Sequence, residues 1–447
     1  MSVARAHRAP TPTTPRSRRA FASSARRVAT TTTTTTVVPR AAREHHRFDD
    51  DDGKAVSTID ECVARLAAVA LSACVACVSP VGALIDAPSA SAALSNPNTR
   101  LPRNASAALR RAVPAVNEET RAVQIKLEDA AYLLRIPQRK PWSTMSKDVE
   151  ESRVILSEKR GDVFGPVRAE DRADAEDAYG TVSDALERLS VAASTQDFDT
   201  FDVQVARALD ALSRLQIAQA PGLPFQIPAK YADLPKLVGR AAVEIQVRNR
   251  DGTNFGLLNG EKLETATLEI TVDGYNAPIT AGNFIDNVRR GVYRGAPMRR
   301  SETAILGGST DPSKPSIPLE IKSSDSFDPL YRAPLDVQNG EAIPSIPLSI
   351  NGSVAMARSG DGQSDKDQFF VYLFDKRSAG LGGLSFEEGE FSVFGYVTKG
   401  EEYLGSIGTN AEIVDARVLF GADKLLNAGE VPVPVDTDFP QAESNAE

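Results

Sequence analysis

The sequence predicts a chain of two folded parts, an all-α domain followed by a β-rich one, and three observations carry that reading. From Leu101 to about Ala220 apolar residues recur at helical spacing. A stretch with four prolines, Ala220 to Pro235, then precludes a continuing helix. Beyond it apolar and polar residues alternate, the period of a half-buried strand.

The 447 residues suit two or three domains, but the first 92 read as targeting signals rather than fold. Residues 1–43 hold nine arginines, a Thr run from Thr30 to Thr36 and no acid before Glu44, the Arg-rich, acid-poor signature of an organelle transit peptide. A second signal follows: Arg65, the apolar run "LAAVALSACVACV" (Leu66 to Val78) and an A-x-A site at Ala90–Ala92. A run of thirteen residues, apolar but for Ser72, falls short of the roughly 20 a membrane-spanning helix needs. Together they predict a bipartite address, chloroplast and then thylakoid lumen, with no membrane span in the mature protein.

All three cysteines (Cys62, Cys74, Cys77) and all three histidines (His7, His45, His46) precede the expected cut. The mature chain then holds no Cys–His or Ser–His–Asp nucleophile, no histidine general base, no disulfide and no typical structural zinc site, and no cofactor or metal is expected. Removing 12 basic and 8 acidic residues leaves a net charge of −13, which argues against a nucleic-acid partner.

Within 105–220, Val123, Leu127, Ala130 and Leu134 share one helix face, as do Val182, Leu186 and Leu189, and Phe201, Val205, Leu209 and Leu212. With a further segment near Met145 to Phe164, about four amphipathic helices predict an up-and-down bundle. Residues 221–240 read as a Pro-rich linker. "AAVEIQVR" from Ala241 and "TATLEITVDGYNAP" from Thr265 read as strands, and "ITAGNFIDNVRRG" as a helix with Thr280 as N-cap and Gly291 as stop. Residues 310–349, with seven prolines, read as a long surface excursion, and 428–447 as a disordered acidic tail.

Four segments, "APITAGNFIDNVRRGVYRGAPMRR", "GSVAMAR", "DQFFVYL" and "EFSVFGYVTKGEEYL", occur in the order and spacing of a cyclophilin-type peptidyl-prolyl isomerase, which residues 241–427 resemble. With the preceding helices and "VDGYNAP", the chain is similar to the large thylakoid-lumen cyclophilins linked to photosystem II assembly. The resemblance implies a closed eight-stranded β-barrel with two flanking helices after the helical bundle. It also implies partners, namely lumenal loops of photosystem II subunits or other proline-containing lumenal proteins. Rotation about X–Pro meets an amide-resonance barrier of about 18–20 kcal/mol, and a cation that weakens resonance over an apolar floor suffices without a nucleophile.

Carried over by resemblance, Arg300 is the catalytic arginine, Phe370 the proline-pocket aromatic and Gln368 the binder of substrate backbone. Met298, Met356, Ala357, Phe391 and Phe394 surround the pocket, and Phe386 stands where the family has its drug-contacting tryptophan. The departures are as informative. The family's aromatic-His-Arg is Met298-Arg299-Arg300, its glutamine falls at Leu306 or Gly307, its asparagine at Arg358 and its pocket histidine at Phe391. Each lost hydrogen bond removes about 0.5–1.5 kcal/mol. These losses favour binding of proline-containing segments during assembly, with weak or lost isomerisation. The alternative is an active isomerase and general lumenal folding catalyst.

Overall fold

The computed structural model describes residues 101–430 apart from positions 116, 138, 221, 259, 310, 312, 340 and 341. The targeting signals at 1–92, with their cysteines and histidines, and residues 431–447 of the acidic tail lie outside the described residues.

Six helices come first: α1 (Ala105–Arg111), α2 (Glu118–Leu134), α3 (Trp142–Glu158), α4 (Arg160–Phe164), α5 (Arg172–Thr195) and α6 (Phe198–Gln219). The long ones, α2, α3, α5 and α6, pack α2 on α3, α3 on α5, α5 on α6 and α6 on α2, which closes a four-helix bundle. Leu127, Val149, Leu186 and Leu212 fill its buried core. Side-chain caps start two of the four: the Asn117 amide oxygen accepts from Thr120 N at 2.9 Å, and an Asp197 carboxylate oxygen from Thr200 N at 3.1 Å. The segment expected as one helix from Met145 to Phe164 breaks at Lys159, whose backbone leaves the helical region at ψ 21°.

The second part contains strands β1 (Lys236–Leu237), β2 (Arg240–Asn249), β3 (Leu257–Leu258), β4 (Glu261–Lys262), β5 (Thr265–Asp273), β6 (Pro297–Arg300) and β7 (Ala304–Gly307). There follow β8 (Ile317–Pro318), β9 (Glu320–Ile321), β10 (Leu330–Tyr331), β11 (Ser353–Gly360), β12 (Gln363–Tyr372), β13 (Val393–Lys399), β14 (Ala411–Phe420) and β15 (Leu425–Leu426). Eight of them form an antiparallel ring, β11-β13-β5-β2-β14-β6-β7-β12, that closes where β12 pairs back onto β11. This is the closed barrel of the cyclophilin fold. Its two flanking helices are α7 (Pro278–Arg289) and a 3₁₀ turn, Glu401–Ser406.

Two local expectations are corrected. Thr280 is not the N-cap of α7: Pro278 begins the helix after Ala277, as its fixed φ and missing N–H favour. The orphan donors are met from a distance by Glu320, which accepts from Thr280 N at 2.9 Å and Thr280 Oγ1 at 3.0 Å. Helix α1, read as part of the bundle, instead places Ala105, Ala108 and Leu109 in the barrel's hydrophobic cluster. Its anchor is polar as well as apolar. The buried Arg240 guanidinium pairs with Asp273 at 2.8 Å and donates to the Leu109 carbonyl, while Asn276 Nδ2 donates to the Ala112 carbonyl at 2.8 Å.

Candidate functional site

Directly opposed residues of an antiparallel pair share a face of the sheet, so register alone sorts the candidate residues into the inside and the outside of the barrel. One row runs Met298–Gly307–Phe369–Met356 across β6, β7, β12 and β11. It faces inward. Phe369 meets Phe284 of α7 at 5.3 Å and Tyr293 at 5.1 Å, and Phe284 lies tilted against Phe394 at 4.8 Å. A Cβ on Gly307 would lie 2.5 Å from the Phe369 ring, so only glycine fits between ring and strand without displacement.

The next row runs Arg299–Leu306–Phe370–Ala355–Val393 and faces outward. The Phe391 ring packs edge-on against Phe370 at 5.0 Å, and the Tyr372 ring meets Phe370 edge-on at 6.5 Å. The Tyr372 hydroxyl is fixed by Ser385 Oγ at 2.8 Å. Leu306, half-buried, lies directly opposite Phe370 on the neighbouring strand β7. The result is an apolar seat of Phe370, Phe391 and Leu306 on the outer wall. Gln368, two residues before Phe370 on the same strand, is half-buried beside it, and its N–H donates to Asp365 Oδ1 at 2.9 Å.

The structure thus brings Phe370, Phe391 and Gln368 together but not the whole expected set. Met298, Met356 and Phe394 are fully buried in the barrel interior, on the opposite side of the wall from the Phe370 row. Ala357 is buried at a register shift between Met356 and Arg358. Phe386 stands 59 % exposed on the loop before Phe391, its ring against Gly380. Arg358 is paired with Glu390 at 2.5 Å. Arg300 lies opposite Ile305, one row away from Phe370, and its guanidinium donates to the Leu404 carbonyl in the 3₁₀ turn. Arg299 holds the position on the Phe370 row and is exposed.

Sequence reasoning missed two buried carboxylates that fasten the 310–349 excursion. Glu320, on β9, reaches the start of α7, and burial pushes its carboxyl up to about 7. Glu388 accepts from Leu348 N at 2.7 Å and Ser349 N at 2.8 Å, and burial raises its pKa too. A small cavity lined by Glu320, Ile346, Phe391 and Val393, among others, joins the first of these to the aromatic seat. The available signal was a lone acid inside an apolar run, "IPLEI" around Glu320. Among the described residues no cluster of three His, Cys, Asp or Glu side chains could hold a metal, and no helix is long and apolar enough to cross a membrane.

Barrel closure and an outward aromatic seat define the class, a cyclophilin barrel joined to a helical domain. Residues 261–429 match the family model described as cyclophilin type peptidyl-prolyl cis-trans isomerase, and residues 104–218 that of the CYP38-like, PsbQ-like domain. The chain is 42 % identical over 344 residues to peptidyl-prolyl cis-trans isomerase CYP37, chloroplastic, of Arabidopsis thaliana, covering 75 % of this chain and 73 % of that protein. It is 34 % identical to a putative thylakoid lumen peptidyl-prolyl cis-trans isomerase of Synechocystis, covering 72 % and 83 %. Among solved structures, cyclophilin AquaCyp293 from Hirschia baltica aligns at 18 % identity and TM-score 0.26, over 39 % of this chain and 73 % of that one. The chain belongs to the cyclophilin-type peptidyl-prolyl cis-trans isomerases, in their chloroplast thylakoid-lumen branch.

Proposed function

We propose that the barrel binds proline-containing segments of lumenal proteins, photosystem II subunits among them, during assembly, and that it isomerises X–Pro bonds weakly. The observation that carries this reading is the pairing of an intact apolar seat with a tethered cation. Phe370 and Phe391 offer a floor and wall for a prolyl ring, whereas Arg300 is engaged with the Leu404 carbonyl and sits one row away. Polarising a prolyl amide with Arg300 first requires that bond to break. Leu306 and the Glu390-paired Arg358 supply no free amide to hold substrate backbone. The photosystem II client rests on the resemblance to the large thylakoid-lumen cyclophilins.

The test is a parallel measurement of binding and of cis–trans exchange on proline peptides by the full mature chain. Phe370→Ala is expected to abolish binding, and Arg300→Ala to change affinity less than threefold, corresponding to under about 0.7 kcal/mol. Turnover by the wild type at the level of an efficient isomerase, lost on Arg300→Ala, would overturn the reading in favour of the general folding catalyst.

A further inference from the structure

We infer that Arg299 selects the substrate: the seat favours extended segments that carry an acidic residue about three positions from the proline. The inference rests on the proposed seat at Phe370. Arg299 lies on the outward row, separated from Phe370 only by Leu306. Neighbouring strands are about 4.8 Å apart, so the two backbones are roughly 10 Å apart. An extended peptide rises about 3.3 Å per residue, which places the cation beside the third residue from a proline seated on Phe370.

The charge is available. Arg299 is exposed and makes no ion pair or hydrogen bond among the described residues. The nearest acid on the adjoining strand β14, Glu412, lies opposite Pro297 and so on the same face as Arg299. It is already engaged by Arg248 at 2.5 Å and Arg250 at 2.8 Å. Arg300, the other cation of β6, bonds the Leu404 carbonyl, and Arg358 at the far side of the seat is held by Glu390. One unpaired guanidinium therefore stands at one end of an otherwise apolar seat, and a carboxylate on the passing chain is the partner it lacks. A planar fork of donors suits a carboxylate in two-point contact.

The experiment compares three peptides that differ only in the residue three positions from proline, on either side: Glu, Gln or Lys. Affinity is read by fluorescence anisotropy and turnover by exchange spectroscopy on the full mature chain. The wild type is expected to prefer Glu over Gln by about two- to fivefold, the range of an exposed ion pair, and to lose that preference in high salt. Arg299→Gln removes the preference, Arg299→Lys restores part of it, and Arg299→Glu inverts it towards the Lys peptide. Arg300→Gln retains the Glu-to-Gln ratio. Equal treatment of the three peptides by the wild type, or a Glu preference that survives Arg299→Gln, overturns the inference while leaving the seat intact. Failure of every proline peptide to bind, with Phe370→Ala indistinguishable from wild type, overturns the seat and the inference together.

Discussion

Replacing Glu320 by glutamine is expected to remove a large part of the pH dependence of stability between pH 8 and pH 5. The carboxyl is 1 % exposed, and burial pushes it up to about 7 from an ordinary 4.5. A carboxyl whose folded pKa is raised binds its proton more tightly in the native state. Its contribution is therefore complete below about 4.5 and is lost as pH rises through about 7. At about 1.36 kcal/mol per unit of pKa, the shift amounts to about 3 kcal/mol, of which about 2.5 kcal/mol is gained on acidification from pH 8 to pH 5. The Glu320→Gln side chain cannot titrate, and its amide still offers one oxygen to the Thr280 N–H. Urea unfolding of both proteins at pH 8, 6.5 and 5 gives the comparison, with the wild type gaining on the variant as pH falls. Parallel stability curves across that range would refute the reasoning, because Glu320 would then titrate as it does in the unfolded chain.

Three further outcomes follow from the same geometry. Gly307→Ala inserts a methyl 2.5 Å from the enclosed Phe369 ring, and overpacking of this kind is expected to cost about 1–3 kcal/mol in a denaturation experiment; an unchanged midpoint would contradict the inward placement of that row. A single cut engineered between Gly222 and Pro235 is expected to leave both fragments together on gel filtration, since α1 stays in the barrel's cluster. Adding Arg240→Ala strips a buried pair that costs about 3–5 kcal/mol to break and is expected to release them; separation by the cut alone would argue against the anchor. Cyclosporin is expected to bind weakly, because Phe386 offers no N–H where the family has an indole. Phe386→Trp should recover affinity in a titration, and nanomolar binding by the wild type would contradict the alignment of this loop.

The barrel and the bundle were legible in the sequence because each is written in a repeated signal: helical spacing before Ala220, and motif order after Pro235. The wall face of each site residue was not. Strand β6 is four residues long, and "PMRR" has no apolar–polar alternation to declare which arginine looks outward. That choice is made by register against β7, where Met298 must oppose Gly307 because the Phe369 ring fills the space inside. The inward placement of Phe394 has a related cause, since a register shift at the start of β13 turns it inward while Val393 stays on the outer row. Helix α1 is seven residues with two arginines at its end, and nothing local tells that its partners, Arg240 and Asn276, lie more than 100 positions further along.

That long reach of α1 also dictates an order of assembly. The helix is made before any strand of the barrel, yet it packs against β13, whose residues come almost 300 positions later. It must wait, with its apolar face uncovered, until the ring of strands exists to receive it. Closing so long a loop adds little to the equilibrium cost, which grows only with the logarithm of length, but contacts this distant in sequence slow the search for the native state. Docking of α1, the first of the described helices, therefore depends on strands that come later in the chain. A barrel produced without residues 105–112 would leave the surface beneath Leu109 bare and open to self-association.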